Sequence, residues 1–139
     1  PAYGKLHAGE SVELDDGRVI EPDQVVGDPR PGRSLVYTAD TRPVDATVEV
    51  ADEPDLLIHD ATFDDEMAGR ARSTGHATAR EAGEIAERAG AKRLALTHIS
   101  SRYPGDARGH QREAAGVFDG ECFVAEDGKT VDIPFPDDE

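Results

Sequence analysis

The side chains able to do chemistry in this 139-residue chain are Asp and His, and several stand at the ends of apolar runs. Asp40 follows the run Ser34 to Thr38 by two residues. His59 and Asp60 close the run that starts at Asp55, and His98 closes the run that starts at Arg93. His76 lies in a Gly75-His76 turn just ahead of a helix signal at Thr78. A carboxylate is a hard anionic ligand that can bridge two ions, and a neutral imidazole suits zinc. Asp40 and His98 are therefore candidate metal ligands. Two donors make a poor site alone, because structural zinc takes four ligands and catalytic zinc three plus water. The same residues also admit a plainer role, with Asp40 capping a turn and His98 hydrogen-bonded at a strand end.

The elements that must position these groups are legible in the apolar pattern. Ser34 to Thr38, Asp55 to His59 and Arg93 to His98 each read as a short buried strand. Between the last two, Thr78 and Glu81 have the spacing of a capping box. Ala82, Ile85, Ala86 and Ala89 then fall on one helical face, Glu84 and Arg88 are spaced as an ion pair, and Gly90 stops the helix. Residues 43–51 read as a helix, residues 64–72 as a short polar helix, and residues 106–118 as a further helix. A hairpin is expected at Val12 to Ile20 around Asp16-Gly17, and a closing hairpin at Glu121 to Ile133 around Asp127-Gly128. Strands alternating with helices argue an α/β fold with a parallel sheet. Such a sheet binds ligands beyond the carboxyl ends of its strands, where Asp40, Asp60 and His98 would lie. Residues 1–33 read as loop and hairpin, 34–135 as the sheet-and-helix part and 136–139 as a tail.

Composition bounds the class. There are 30 acidic and 15 basic residues, for a net charge of -15. Leu, Ile, Val and Phe number 27, a low share that in a highly charged chain suggests disorder. Their patterning argues the opposite. The profile of 12 Arg, 3 Lys and 19 Ala with few large apolar groups resembles proteins of salt-loving archaea, where concentrated salt screens self-repulsion. No apolar run is long enough for a membrane span, the first residues are not a secretory leader, and one cysteine fits a reducing cytoplasm. Cys122 reads as a small core residue, His59 as turned inward to a hydrogen bond, and His7 and His110 as solvated.

Four segments together resemble a known family. Tyr37-Thr38-Ala39-Asp40-Thr41-Arg42-Pro43, Leu56 to Phe63 (with His59-Asp60-Ala61-Thr62), Gly75-His76-Ala77-Thr78 and Thr97-His98-Ile99-Ser100-Ser101-Arg102-Tyr103 follow the order and spacing of ribonuclease Z. That family has a metallo-β-lactamase αββα sandwich and trims the 3′ trailer from precursor tRNA. The resemblance covers nearly the whole chain. It implies that Asp40 bridges two zinc ions and that His98 binds one of them. It implies that His76 protonates the leaving group, that Asp60 orients His76, and that Thr78 lies near the scissile phosphate. Arg102 is a candidate contact to RNA, since a guanidinium suits phosphate. The resemblance further implies a homodimer.

The departures are specific. Asp60 stands where the family has the longer glutamate, which shortens its reach to His76. Ala39 replaces a glycine, so the backbone there is expected to avoid positive φ. Ala77 replaces a serine. The family's upstream H-x-H-x-D-H metal motif and tRNA-clamping arm have no counterpart here, so the chain reads as a carboxy-terminal half, inactive alone. Other phosphodiesterases of the same fold, or a non-catalytic half that binds RNA or a partner, are the alternatives. Charge bears on the choice. Residues 69–112 hold nine basic and four acidic groups, net +5, against net -12 for residues 1–68 and net -8 for residues 113–139. The positive stretch contains His76, Thr78, His98 and Arg102.

Overall fold

A computed structural model describes residues 2–29 and 31–136. The chain divides into two compact units, Pro1–Gly32 and Arg33–Glu139. The first holds α1 (Ala2–His7), β1 (Val12–Glu13), β2 (Val19–Ile20) and α2 (Pro22–Val25). The hairpin forms as expected, with Val12 opposite Ile20 and Gly17 at φ 88°. The two short helices were not expected. The second starts at a capping box between Glu21 and Gln24 with a proline at its head, a combination that satisfies free backbone donors without costing one.

The second unit is a four-stranded parallel sheet with helices packed on it. In chain order it runs β3 (Leu35–Tyr37), α3 (Asp45–Val50), β4 (Leu56–Asp60), a helical turn at Asp65–Met67, α4 (Ala68–Thr74), α5 (Ala79–Ala89), β5 (Arg93–Thr97), α6 (Arg108–Ala115) and β6 (Glu121–Val124). The strand order is β3-β4-β5-β6, and every neighbouring pair is parallel. Leu57, Leu94, Leu96 and Cys122 pack against Ala82, Ile85 and Ala86 of α5 and Ala114 of α6. Leu56, Ala95 and Phe123 on the opposite sheet face pack with Ile58 of β4 and with Val131 and Ile133 from the segment after β6. Burial pushes the Cys122 thiol up to about 11, so it is an inert apolar filler. No helix is long and apolar enough to cross a membrane among the described residues.

Helix α5 has the ends expected of it. The Thr78 hydroxyl accepts from the Glu81 backbone, the Glu81 carboxylate accepts from the Thr78 backbone, and Gly90 closes the helix at φ 69°.

Three expectations need correction. β3 is an edge strand rather than a buried one, with Leu35 52% and Tyr37 61% exposed, because only Val36 turns to the core. The closing hairpin does not form. β6 pairs in parallel with β5, and after the Gly128 turn the carbonyls of Asp132 and Ile133 accept from Arg93 and Arg33 instead of a neighbouring strand. Arg88 pairs with Asp45 of α3 at 2.7 Å rather than with Glu84. The expected tail at 136–139 lies outside the described residues except for Pro136.

Close approach of α5 and α6 rests on Gly83. A Cβ there would meet the Ala114 carbonyl at 2.7 Å and the Val117 methyl at 2.8 Å. Gly109 of α6 has nothing within 4 Å of the same position. Gly83→Ala should therefore lower stability by about 1–3 kcal/mol through overpacking, more than the ~1 kcal/mol its helix propensity returns. Gly109→Ala should be neutral or stabilising by up to ~1 kcal/mol. Urea denaturation of both variants measures the pair. Equal effects would show that the helix crossing is not close-packed.

Candidate active site

The carboxyl ends of β3, β4 and β5 bring four of the expected residues together. Asp60 ends β4 with its side chain fully buried, and both of its oxygens are occupied. Oδ1 accepts from the Thr62 backbone at 2.9 Å, the Thr62 hydroxyl at 2.7 Å and the Ala77 backbone at 3.4 Å. Oδ2 accepts from the Thr41 backbone at 3.0 Å and faces His76 Nδ1 at 2.9 Å. Burial acts to raise the carboxyl pKa. The hydrogen bonds from Thr62, His76 and Thr41 outweigh it and hold the group below the usual carboxylate range. The shorter Asp60 thus reaches His76, because the segments around the two residues are zipped together. Phe63 donates to the Ala77 carbonyl, and Ala79 donates back to Phe63.

His76 sits between α4 and α5, after the left-handed Gly75 cap. Its Nδ1 faces an ionised carboxylate, so Nδ1 carries hydrogen and Nε2 is left for other work. Its ring stacks on that of His98, with centroids 5.0 Å apart and planes at 15°. Arg42 holds the turn from below. Its guanidinium donates to the His76 carbonyl and forms a two-pronged pair with Glu81 at 3.0 and 2.8 Å. Burial acts to raise the Glu81 pKa, but the Arg42 contact prevails and keeps it low.

His98 follows β5 directly. Its Nδ1 lies 2.9 Å from the Thr62 hydroxyl and its Nε2 lies 3.3 Å from Asp40 Oδ2. The His98 and Asp40 side chains are about half exposed. Backbone strain flanks the pair, with Ala39 at φ 57° and His98 at φ 62°. That overturns the expectation for Ala39: the residue accepts the left-handed conformation, at a cost of about 1–2 kcal/mol, to aim Asp40.

The donors fit a metal. Asp60, His76 and His98 offer atoms within 4.8 Å of one another. Asp60 is nevertheless committed to its hydrogen bonds, so it is a poor ligand. The pair that faces solvent with donor atoms to spare is Asp40 and His98, an anionic oxygen beside an imidazole nitrogen. This is a partial donor set that needs further ligands.

The other residues singled out in the sequence meet varied surroundings. Thr78 is buried, and its hydroxyl is spent on capping α5, so it holds the His76 turn rather than facing solvent. The Arg102 side chain is exposed, while its backbone donates to the Ser100 hydroxyl. His59 is buried as expected, with Nδ1 2.8 Å from the Asp60 carbonyl. His110 is buried rather than solvated, edge-on to Tyr103 at 4.5 Å. Thr62 and Arg42 were missed as site residues. The signal for each was adjacency, since both lie two residues beyond a candidate carboxylate.

Comparison with known proteins decides the family. The family model described as "Beta-lactamase superfamily domain" matches residues 24–99, more than half of the chain. The chain belongs to the beta-lactamase superfamily. The ribonuclease Z of Halorubrum lacusprofundi is 64% identical over 137 residues, covering 99% of this chain and 44% of that protein. The chain therefore spans less than half the length of the curated relatives it matches. Among solved structures, the metallo-β-lactamase fold protein YhfI of Bacillus subtilis is 36% identical with a TM-score of 0.65, covering 70% of this chain and 39% of that one. The short form of human tRNase Z is 34% identical with a TM-score of 0.60, covering 84% of this chain and 37% of that one. The resemblance to ribonuclease Z therefore stands, and the α/β fold is that of the metallo-β-lactamases.

The buried histidines make stability depend on pH. Burial lowers the pKa of His110 below its ordinary 6.5, as it does for His59. An unfolded chain binds the proton first, so stability is lost as pH falls from about 6.5 through the depressed folded value. His110→Gln should flatten this loss between about pH 7 and pH 5, as measured by urea denaturation at each pH. An unaltered slope would remove His110 as its source.

Proposed function

We propose that this chain is the carboxy-terminal half of the catalytic domain of a zinc-dependent endoribonuclease that removes the 3′ trailer from precursor tRNA. The observation that carries this reading is the Asp60–His76 couple stacked beside the Asp40–His98 pair, in segments that match relatives named ribonuclease Z. Asp40 and His98 would be ligands, Asp40 between two zinc ions and His98 on one. Bound zinc would activate water and stabilise charge on the phosphate oxygens. His76 would give a proton from Nε2 to the leaving oxygen, while Asp60 orients the ring through Nδ1 and would support the charge of its doubly protonated form. Arg102, exposed and cationic, would contact phosphate of the RNA. Thr78 serves the substrate by holding the turn that carries His76.

Residues 1–33 follow a tRNA-binding arm carried elsewhere in the protein, and 34–135 form the half-site. The remaining metal ligands belong to the other half. The acidic surface is an adaptation to concentrated salt, the single buried thiol fits a reducing cytoplasm, and a homodimer follows from the ribonuclease Z resemblance. A second reading is another phosphodiesterase of the same fold, since a fold alone does not fix the substrate.

Mutation in the full-length protein separates these roles. Asp40→Ala and His98→Ala should abolish trailer cleavage and lower the zinc content. His76→Ala should keep its zinc and slow cleavage by about 10²–10⁴-fold, the usual worth of a general acid. Zinc analysis and cleavage of a precursor tRNA report the two effects. Wild-type zinc content in both ligand variants would refute their assignment, and cleavage only of small phosphodiesters would favour the second reading.

A further inference from the structure

Thr62 has one hydroxyl hydrogen and two neighbours that compete for it. Its Oγ1 lies 2.7 Å from Asp60 Oδ1 and 2.9 Å from His98 Nδ1. Asp60 cannot supply a hydrogen to this contact. Backbone N–H groups of Thr62 and Ala77 already point at Oδ1, and Thr41 and His76 point at Oδ2, which leaves no oxygen free to carry a proton. The Thr62 hydrogen therefore goes to Asp60. What remains for His98 is an oxygen lone pair, and only an N–H can satisfy it.

We propose that Thr62 is a positioning residue whose hydroxyl holds His98 in the Nδ1–H tautomer and turns the Nε2 lone pair towards Asp40. Thr62 is 5% exposed, so water does not readily substitute for either contact. With Nδ1 as the donor, the neutral ring presents a lone pair to Asp40 Oδ2 at 3.3 Å. Two electron-rich atoms face one another there, and a proton or a metal cation between them relieves the repulsion. A single hydroxyl thereby links the carboxylate that orients His76 to the imidazole across from Asp40. The γ-methyl of Thr62 stiffens χ1, so the hydroxyl is held ready rather than sampled. The consequence for metal binding rests on the proposed reading of His98 as a ligand; the tautomer does not.

Two variants separate these claims. Thr62→Val keeps the shape and removes the hydroxyl, while Thr62→Ser keeps the hydroxyl. Long-range nitrogen–proton NMR on the ring protons of His98 reads the tautomer in the metal-free chain at alkaline pH, where the ring is neutral. The wild type and Thr62→Ser should show Nδ1–H. Thr62→Val should shift His98 towards Nε2–H, which then donates to Asp40. A wild-type His98 with Nε2–H overturns the proposal even if Thr62→Val fails to fold, and so does a Thr62→Val tautomer identical to wild type. In the full-length protein, zinc affinity should fall about 10–100-fold in Thr62→Val, the usual cost of losing a ligand's outer partner, and recover in Thr62→Ser. A tautomer shift without any change in zinc affinity would uphold the role of Thr62 and refute His98 as a ligand.

Discussion

A buried carboxylate with five hydrogen-bond partners is the constraint on which the site depends. Asp60 has no exposed surface, and an ionised carboxylate without partners there would cost several kcal/mol. These five contacts come from four residues in three separate segments: Thr41, Thr62, and the adjacent His76 and Ala77. Satisfying Asp60 therefore fixes the loop after β3, the loop after β4 and the turn before α5 relative to each other. The Asp40 loop and the His76 turn converge because one anion needs both. Arg42 acts on the same two segments from the other side, through Glu81 and the His76 carbonyl. Breaking one contact would leave a buried charge short of a donor, so the arrangement is cooperative.

The apolar pattern made the scaffold legible. Unbroken runs of three apolar residues, Leu56 to Ile58 and Leu94 to Leu96, placed β4 and β5 to within a residue, because strands buried on both faces carry no polar alternation to blur them. The Thr78 to Gly90 helix was equally clear, since its cap, face and stop are all local. Edges and partners were harder to read. Leu35 and Tyr37 look like core residues in a one-dimensional pattern, and only the strand order shows them to be on an edge. Val131 and Ile133 have strand composition, yet arginines on β5 and ahead of β3 take their segment's carbonyls. His110 has a polar neighbourhood in sequence, and its burial beneath Tyr103 is a tertiary fact.

The candidate site divides in the same way. Asp40, Asp60, His76 and His98 stood out because strand ends in a parallel sheet converge. Their roles relative to one another did not follow from spacing. Asp60 is a methylene shorter than the family's glutamate, which put its reach to His76 in question. The local zipper of Phe63 with Ala77 and Ala79 draws the two together, so side-chain length was the wrong variable. Ala39 was expected to avoid positive φ, and it does not. The strain is borne next to Asp40 because the loop must turn sharply to present that carboxylate and still deliver the Thr41 backbone to Asp60.

Charge placement follows from the same competition between partners. The stretch 69–112 carries a net charge of +5, but much of it is answered by acids, some of them outside the stretch. Arg80 pairs with Asp65, Arg88 with Asp45, Arg93 with Glu121 and Lys92 with Asp55, while Arg108 pairs with Asp106 within the stretch. Such exposed pairs add little stability and weaken further in salt. Arg70, Arg72, Arg102 and Arg112 hold no ion pair among the described residues, in a chain with twice as many acids as bases. Where carboxylates are abundant, an unpaired arginine reflects geometry rather than shortage of partners. Arg70 and Arg72 lie on α4, just ahead of Gly75 and His76, and Arg102 follows His98 by four residues. A polyanion that reached these guanidinium groups would meet charge that no carboxylate has already neutralised. In concentrated salt the acidic remainder of the surface repels it only over a few ångströms, roughly 3 Å at 1 M. A net charge of -15 therefore does not by itself exclude the proposed contact with phosphate, because screening would act on distant acids more than on guanidinium groups touching a phosphate.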